Sequence, residues 1–126
     1  MNTKLLMTVC AIMLGSIGLL LTFMPEEVSR SLNLSGSTIL FQILGALYFG
    51  FAILNWTAKA NLIGGIYSRP VAIGNFSHFL IGGLALIKLA FHNNYGFGIL
   101  VWATFYLIFA MLFGYAVFIT PTLIKK

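Results

Sequence analysis

Charge is what this sequence has least of. Its 126 residues carry seven lysines and arginines and two acids, 7% in all, against 60% apolar residues. Mean hydropathy is +1.03. A water-soluble domain of this size needs a polar coat, and so few charges cannot make one. The charged residues are Lys4, Glu26, Glu27, Arg30, Lys59, Arg69, Lys88, Lys125 and Lys126, and they leave uncharged runs at 5–25, 31–58, 70–87 and 89–124. Each run is close to the ~20 residues a helix needs to cross ~30 Å of hydrocarbon. The bilayer is the solvent this sequence is written for.

The shortage of acids excludes a good deal of chemistry. Glu26 and Glu27 both fall outside the apolar runs, so no carboxylate is placed mid-membrane to carry a proton or a cation, as antiport by a small four-helix protein would require. No carboxylate pair, catalytic triad or phosphate loop is present, and no catalytic residue is assigned. Cysteine is as scarce: Cys10 stands alone, which excludes an internal disulfide, a CxxC pair and a cysteine metal site. It reads as a small packing residue of the first helix. The two histidines, His78 and His92, fall on one helix 14 residues apart, ~21 Å along the axis. They cannot clamp one iron, and without acidic companions they make a poor metal site. No metal or cofactor is expected.

The basic residues are scattered singly rather than gathered on a face, so nucleic acid is not an expected partner. Their distribution is topogenic. With the N-terminus in the cytoplasm, that side collects Lys4, Lys59, Arg69, Lys125 and Lys126, while Arg30 and Lys88 fall opposite. The positive-inside bias predicts both termini cytoplasmic. The first apolar run continues to Phe23 without an Ala-x-Ala site, so it is expected to stay as a membrane helix rather than be cleaved.

The fold class predicted is all-α: one membrane domain, a bundle of four transmembrane helices at about 4–24, 38–58, 70–91 and 97–120, with a short interfacial helix after the first. That short helix, 25–33, opens on Pro25-Glu26-Glu27, where a proline costs no hydrogen bond and acids suit the positive helix end. Ser35-Gly36-Ser37 is expected to break it. Ala11 and Gly15, Ala46 and Gly50, and Ala110 and Gly114 have the small-xxx-small spacing of helix contacts, and Gly74, His78 and Gly82 share a line on the third long helix. Gln42, Gly45, Phe49, Ala52, Trp56 and Lys59 fall on one line of the second long helix, a seven-residue repeat that suggests a helix-facing seam, and Gln42 is expected to pack.

The stretch RPVAIGNFSHFLIGG places polar groups deep in lipid. From Pro70, His78 lies ~12 Å along the helix, and Asn75, three residues earlier, shares its face. Asn55 descends to the same depth on the second long helix, with Lys59, Tyr67 and Arg69 below. Lipid offers these groups no partner. They therefore predict an Asn55–Asn75–His78 network, either as glue between helices or as a binding pocket floored by Lys59, Arg69 and Tyr67.

The proline-acidic turn FMPEEV and the glycine-rich LFQILGALYFGFAIL resemble the DoxX-like and DUF4345-like small membrane proteins of bacteria across most of the chain. The resemblance implies a four-helix architecture in the bacterial inner membrane rather than an activity. Membrane lipid, and a homo-oligomer or larger membrane complex, are the expected partners. The leading expectation is a non-catalytic accessory subunit or homo-oligomeric bundle. The alternatives are a small channel or carrier using the polar face, and a lipid- or quinone-binding membrane enzyme with His78 as a base.

Overall fold

A computed structural model describes residues 2–61, 68–92 and 97–119. It contains five helices among those residues: α1 (Thr3–Phe23), α2 (Pro25–Ser31), α3 (Thr38–Ala58), α4 (Ser68–His92) and α5 (Phe97–Phe118). The fold class is the one expected, four long apolar helices and a short one after the first. α1, α3, α4 and α5 are each long and apolar enough to cross a membrane, which makes this a multi-pass membrane protein.

Local chemistry sets the helix ends. The Asn2 side chain accepts a hydrogen bond from the Leu5 amide at 3.1 Å and caps α1. α4 begins at Ser68, two residues before the expected Pro70 start. Pro70 still falls in the first turn, where its missing N–H has no intrahelical partner to lose. The break after α2 comes earlier than Ser35-Gly36-Ser37. Asn33 adopts φ 52°, its amide donates to the Arg30 carbonyl at 3.2 Å, and the Leu34 amide donates to Ser29 at 2.9 Å. That pairing closes a helix and folds the following residue back on it, and asparagine is a non-glycine residue that tolerates the left-handed conformation. Leu34 is thereby turned towards Val28. The Glu26–Arg30 pair on α2, 3.9 Å apart and exposed, adds little.

The bundle is built from two close pairs, α1 with α3 and α4 with α5. α1 and α3 meet through glycines. A Cβ on Gly18 would lie 2.8 Å from the Gly45 carbonyl oxygen, and one on Gly45 would lie 2.7 Å from that of Gly18, so neither position admits a side chain without parting the backbones. Gly15 also faces α3, where a Cβ would lie 3.5 Å from Ala52, Ala11 is buried, and a Cβ on Gly114 would lie 3.1 Å from Phe76 of α4. The Ala46–Gly50 line is different: it faces outward, and a Cβ on Gly50 would meet nothing within 4 Å. The reason is helical phase. α3 docks instead through Gly45 and Ala52 of the seam that includes Gln42, about 100° round the helix from Ala46.

The two pairs join over a core that includes Met7, Leu14, Phe79, Phe109 and Phe113. Outside it the usual soluble order is reversed. Ile81 and Met111 are 68% and 67% exposed, while Asn55 and Asn75 are 0% exposed. Large apolar side chains turned outward are what a lipid-facing surface requires.

Candidate functional site

Two polar clusters lie inside the bundle. The first is the asparagine pair. The Asn55 amide nitrogen donates to Asn75 Oδ1 at 2.9 Å and Asn75 returns the same bond at 2.9 Å. Each amide also donates to its own helix one turn back, Asn55 to the Phe51 carbonyl and Asn75 to that of Val71. The Cys10 thiol lies 3.7 Å from Asn75 Oδ1, a weak donor to an already occupied oxygen. Four amide protons thus have four acceptors. The pair joins α3 to α4, and α1 closes it through Cys10.

His78 stands apart from this pair. Three residues beyond Asn75 is ~60° short of a full turn, enough to aim the imidazole at α3 and α5. The ring stacks on Phe51 with centroids 5.0 Å apart and meets Tyr48 edge-on. Its Nε2 lies 3.4 Å from the Tyr106 hydroxyl, which is itself hydrogen-bonded to the Tyr48 hydroxyl. The expected three-residue network is therefore two networks: Asn55–Asn75, and His78 with two tyrosines. Tyr48 lies ten residues into α3 and Tyr106 nine into α5, ~14–15 Å from the α2 end of the bundle. That is mid-membrane depth.

Glycine makes room for this second cluster. A Cβ on Gly82 would lie 2.5 Å from Tyr106 Cε1, so the phenol ring occupies space that any other residue on α4 would fill. Of the Gly74–His78–Gly82 line, His78 and Gly82 form the seat of Tyr106, while Gly74 faces Phe51 of α3.

Above the tyrosines lies a cavity of about 180 Å³. Its walls include Leu21 of α1, Leu44 of α3, Leu86 of α4 and Ile99 of α5, Val28 and Leu34 belong to the α2 segment, and Tyr48 and Tyr106 are also part of the lining. The turn at Asn33 is what brings Leu34 over it. None of the described lining residues is charged.

The remaining expected site residues are not drawn into either cluster. Lys59 sets its ammonium over the Trp56 ring, a cation–π contact. Arg69 is exposed in the first turn of α4, and Tyr67 lies outside the described residues. Gln42 reaches the Thr22 carbonyl at 3.5 Å. Lys88 is exposed.

Tyr48 and Tyr106 escaped the sequence reading, yet a signal exists. A phenol near the centre of an apolar helix, away from the interfaces, has a hydroxyl that lipid cannot satisfy. Comparison with known proteins adds nothing to the geometry: no family model matches the chain, and no curated protein or solved structure matches it either.

Proposed function

We propose that this chain is a membrane-embedded binding protein for a neutral molecule of the lipid phase, of the lipid or quinone class, taken up in the cavity beneath α2. The observation that carries this reading is the union of an uncharged cavity of about 180 Å³ with the Tyr48–Tyr106–His78 hydrogen-bond chain at its base. A cavity of ~150 Å³ is large enough for benzene, so a ring or a short length of chain fits. The absence of charge among the described lining residues disfavours an ionic guest, whose desolvation nothing there would offset. The Asn55–Asn75 pair supports the assignment by contrast, since every amide proton is already used and none remains for a solute.

The reading extends to placement: the bacterial inner membrane, both termini cytoplasmic, α2 on the far side. Its support is the basic bias, five residues against two. Kinship with the DoxX-like and DUF4345-like bundles belongs to the same proposal. It is supported by the FMPEEV turn, which opens α2 directly after α1.

The test uses the protein in phosphatidylcholine nanodiscs, with Trp56→Phe leaving Trp102 on the cavity wall as the remaining tryptophan. Titrated phenol should change Trp102 fluorescence saturably. Val28→Phe, which fills the cavity, should abolish that change, and the outward-facing Val9→Phe should not. A linear response unaltered by Val28→Phe would mean simple partitioning and would overturn the reading.

A second reading, self-association, is favoured by one observation, the open face at Ala46 and Gly50. Close helix packing through such a face predicts that Gly50→Leu converts an oligomer to a monomer in native mass spectrometry. An oligomeric mass unchanged by that substitution excludes this face.

A further inference from the structure

A second hollow lies at the same level of the bundle. It measures about 410 Å³ and runs between α1 and α5, walled by Met13, Ser16 and Ile17 on one side and by Val101, Trp102 and Phe105 on the other. Val101 and Phe105 are 37% and 47% exposed, so this groove faces outward, where lipid chains lie. The cavity beneath α2 and the groove have two wall residues in common, Ile17 and Trp102. Leu20 and Leu44 of the cavity wall are 49% and 37% exposed, so the cavity also opens outward, and Ile17 and Trp102 stand between the two spaces.

We propose that the two spaces form one site for a neutral single-chain lipid ending in a carbonyl or hydroxyl oxygen. The oxygen lies at Tyr48, the first few atoms behind it fill the cavity, and the chain leaves past Ile17 and Trp102 into the α1–α5 groove. This rests on the binding reading above and names its ligand class.

Size requires the second space. The cavity holds about a ring's worth of atoms, so a longer molecule must project, and the groove adjoins it. Charge sets the head: no described wall residue of either space is charged, so an anionic or zwitterionic head would enter unsolvated.

Hydrogen bonding sets the oxygen. The chain of His78, Tyr106 and Tyr48 has two arrangements, fixed by which imidazole nitrogen holds the proton. With Nε2 protonated, it donates to Tyr106, Tyr106 donates to Tyr48, and the Tyr48 hydroxyl proton is left to donate to a ligand carbonyl. With Nε2 bare, Tyr48 donates to Tyr106 and Tyr106 to Nε2, and the Tyr48 oxygen is left to accept from a ligand hydroxyl. One site thus takes either a carbonyl or a hydroxyl oxygen at the same position, without any side chain moving.

The test compares four probes in the same nanodiscs, read by Trp102 fluorescence in the Trp56→Phe background: phenol, 4-octylphenol, 4-octylbenzaldehyde and octylbenzene. Tyr48→Phe should weaken 4-octylphenol and 4-octylbenzaldehyde alike by roughly 3- to 10-fold, the worth of one hydrogen bond, and leave octylbenzene within about 2-fold. Val101→Phe, which narrows the groove without touching the cavity and adds no second tryptophan, should weaken 4-octylphenol by about 10-fold and leave phenol unchanged. Helix content by circular dichroism checks that each variant folds, and Ser16→Leu is the alternate groove variant. An equal loss of phenol and 4-octylphenol in the groove variants overturns the two-part site. Loss of octylbenzene in Tyr48→Phe overturns the role of the oxygen. If phenol binds saturably but the octyl chain adds no sensitivity to the groove variants, the binding reading stands and this inference falls. If no probe binds, both fall.

Discussion

The asparagine pair and the tyrosine–histidine chain sit in the same hydrocarbon layer and face opposite requirements. Asn55 and Asn75 are fully enclosed, and their donors and acceptors close on each other and on the backbone carbonyls of Phe51 and Val71. Tyr48 and Tyr106 line a cavity, and in the binding reading proposed above the Tyr48–Tyr106–His78 chain keeps one end of its proton order open towards it. A saturated network fixes two helices and has no further capacity. An open-ended one can accept a third party. The difference between glue and site is thus a count of protons and lone pairs rather than of polar residues.

The largest test of this contrast is at the closed cluster. Asn75→Ala leaves the Asn55 amide buried without its partner, which should cost about 2–3 kcal/mol in SDS-induced unfolding followed by circular dichroism. Removing both amides should cost no more than removing one, because the second has then nothing left to satisfy. Additive losses would show that the two amides act separately.

At the open cluster, steric control comes first. Gly82→Ala places a methyl group where the Tyr106 ring now lies, and an overpacking cost of about 1–3 kcal/mol is expected. The displaced phenol should take probe binding with it, measured by the same fluorescence titration. Retained binding would mean that the position of Tyr106 is not what shapes the cavity.

The smallest stability change should come from Tyr48→Phe. It removes the hydroxyl at the end of the chain and leaves Tyr106 paired with His78, so unfolding should shift by about 1 kcal/mol or less while oxygen-bearing probes lose affinity. A stability loss as large as that of Asn75→Ala would erase the distinction between the clusters.

Legibility in the sequence followed the same line. Asn55 and Asn75 could be paired on paper because each stands out against an apolar run and both fall at one depth. His78 could be placed at the right depth but given the wrong company, since a 60° error in helix phase is invisible without the neighbouring helices. Tyr48 and Tyr106 were overlooked because tyrosine in a membrane helix is commonly interfacial, and only their depth betrays them. On α3 the docking line through Gly45 and Ala52 was legible as a seven-residue repeat, while Gly18, its partner on α1, was not singled out, since a sequence does not say which face of a neighbouring helix meets it.

Four long apolar runs separated by sparse charge fixed the class of the molecule, because lipid leaves a helix as the one way for an isolated segment to satisfy its backbone. Which faces meet was decided by packing, through approaches at Gly18, Gly45 and Gly82 too close to admit a Cβ. The cavity beneath α2 exists only when the turn at Asn33 carries Leu34 back over five converging helices. A linear pattern records what each residue prefers. It does not record the space left between them.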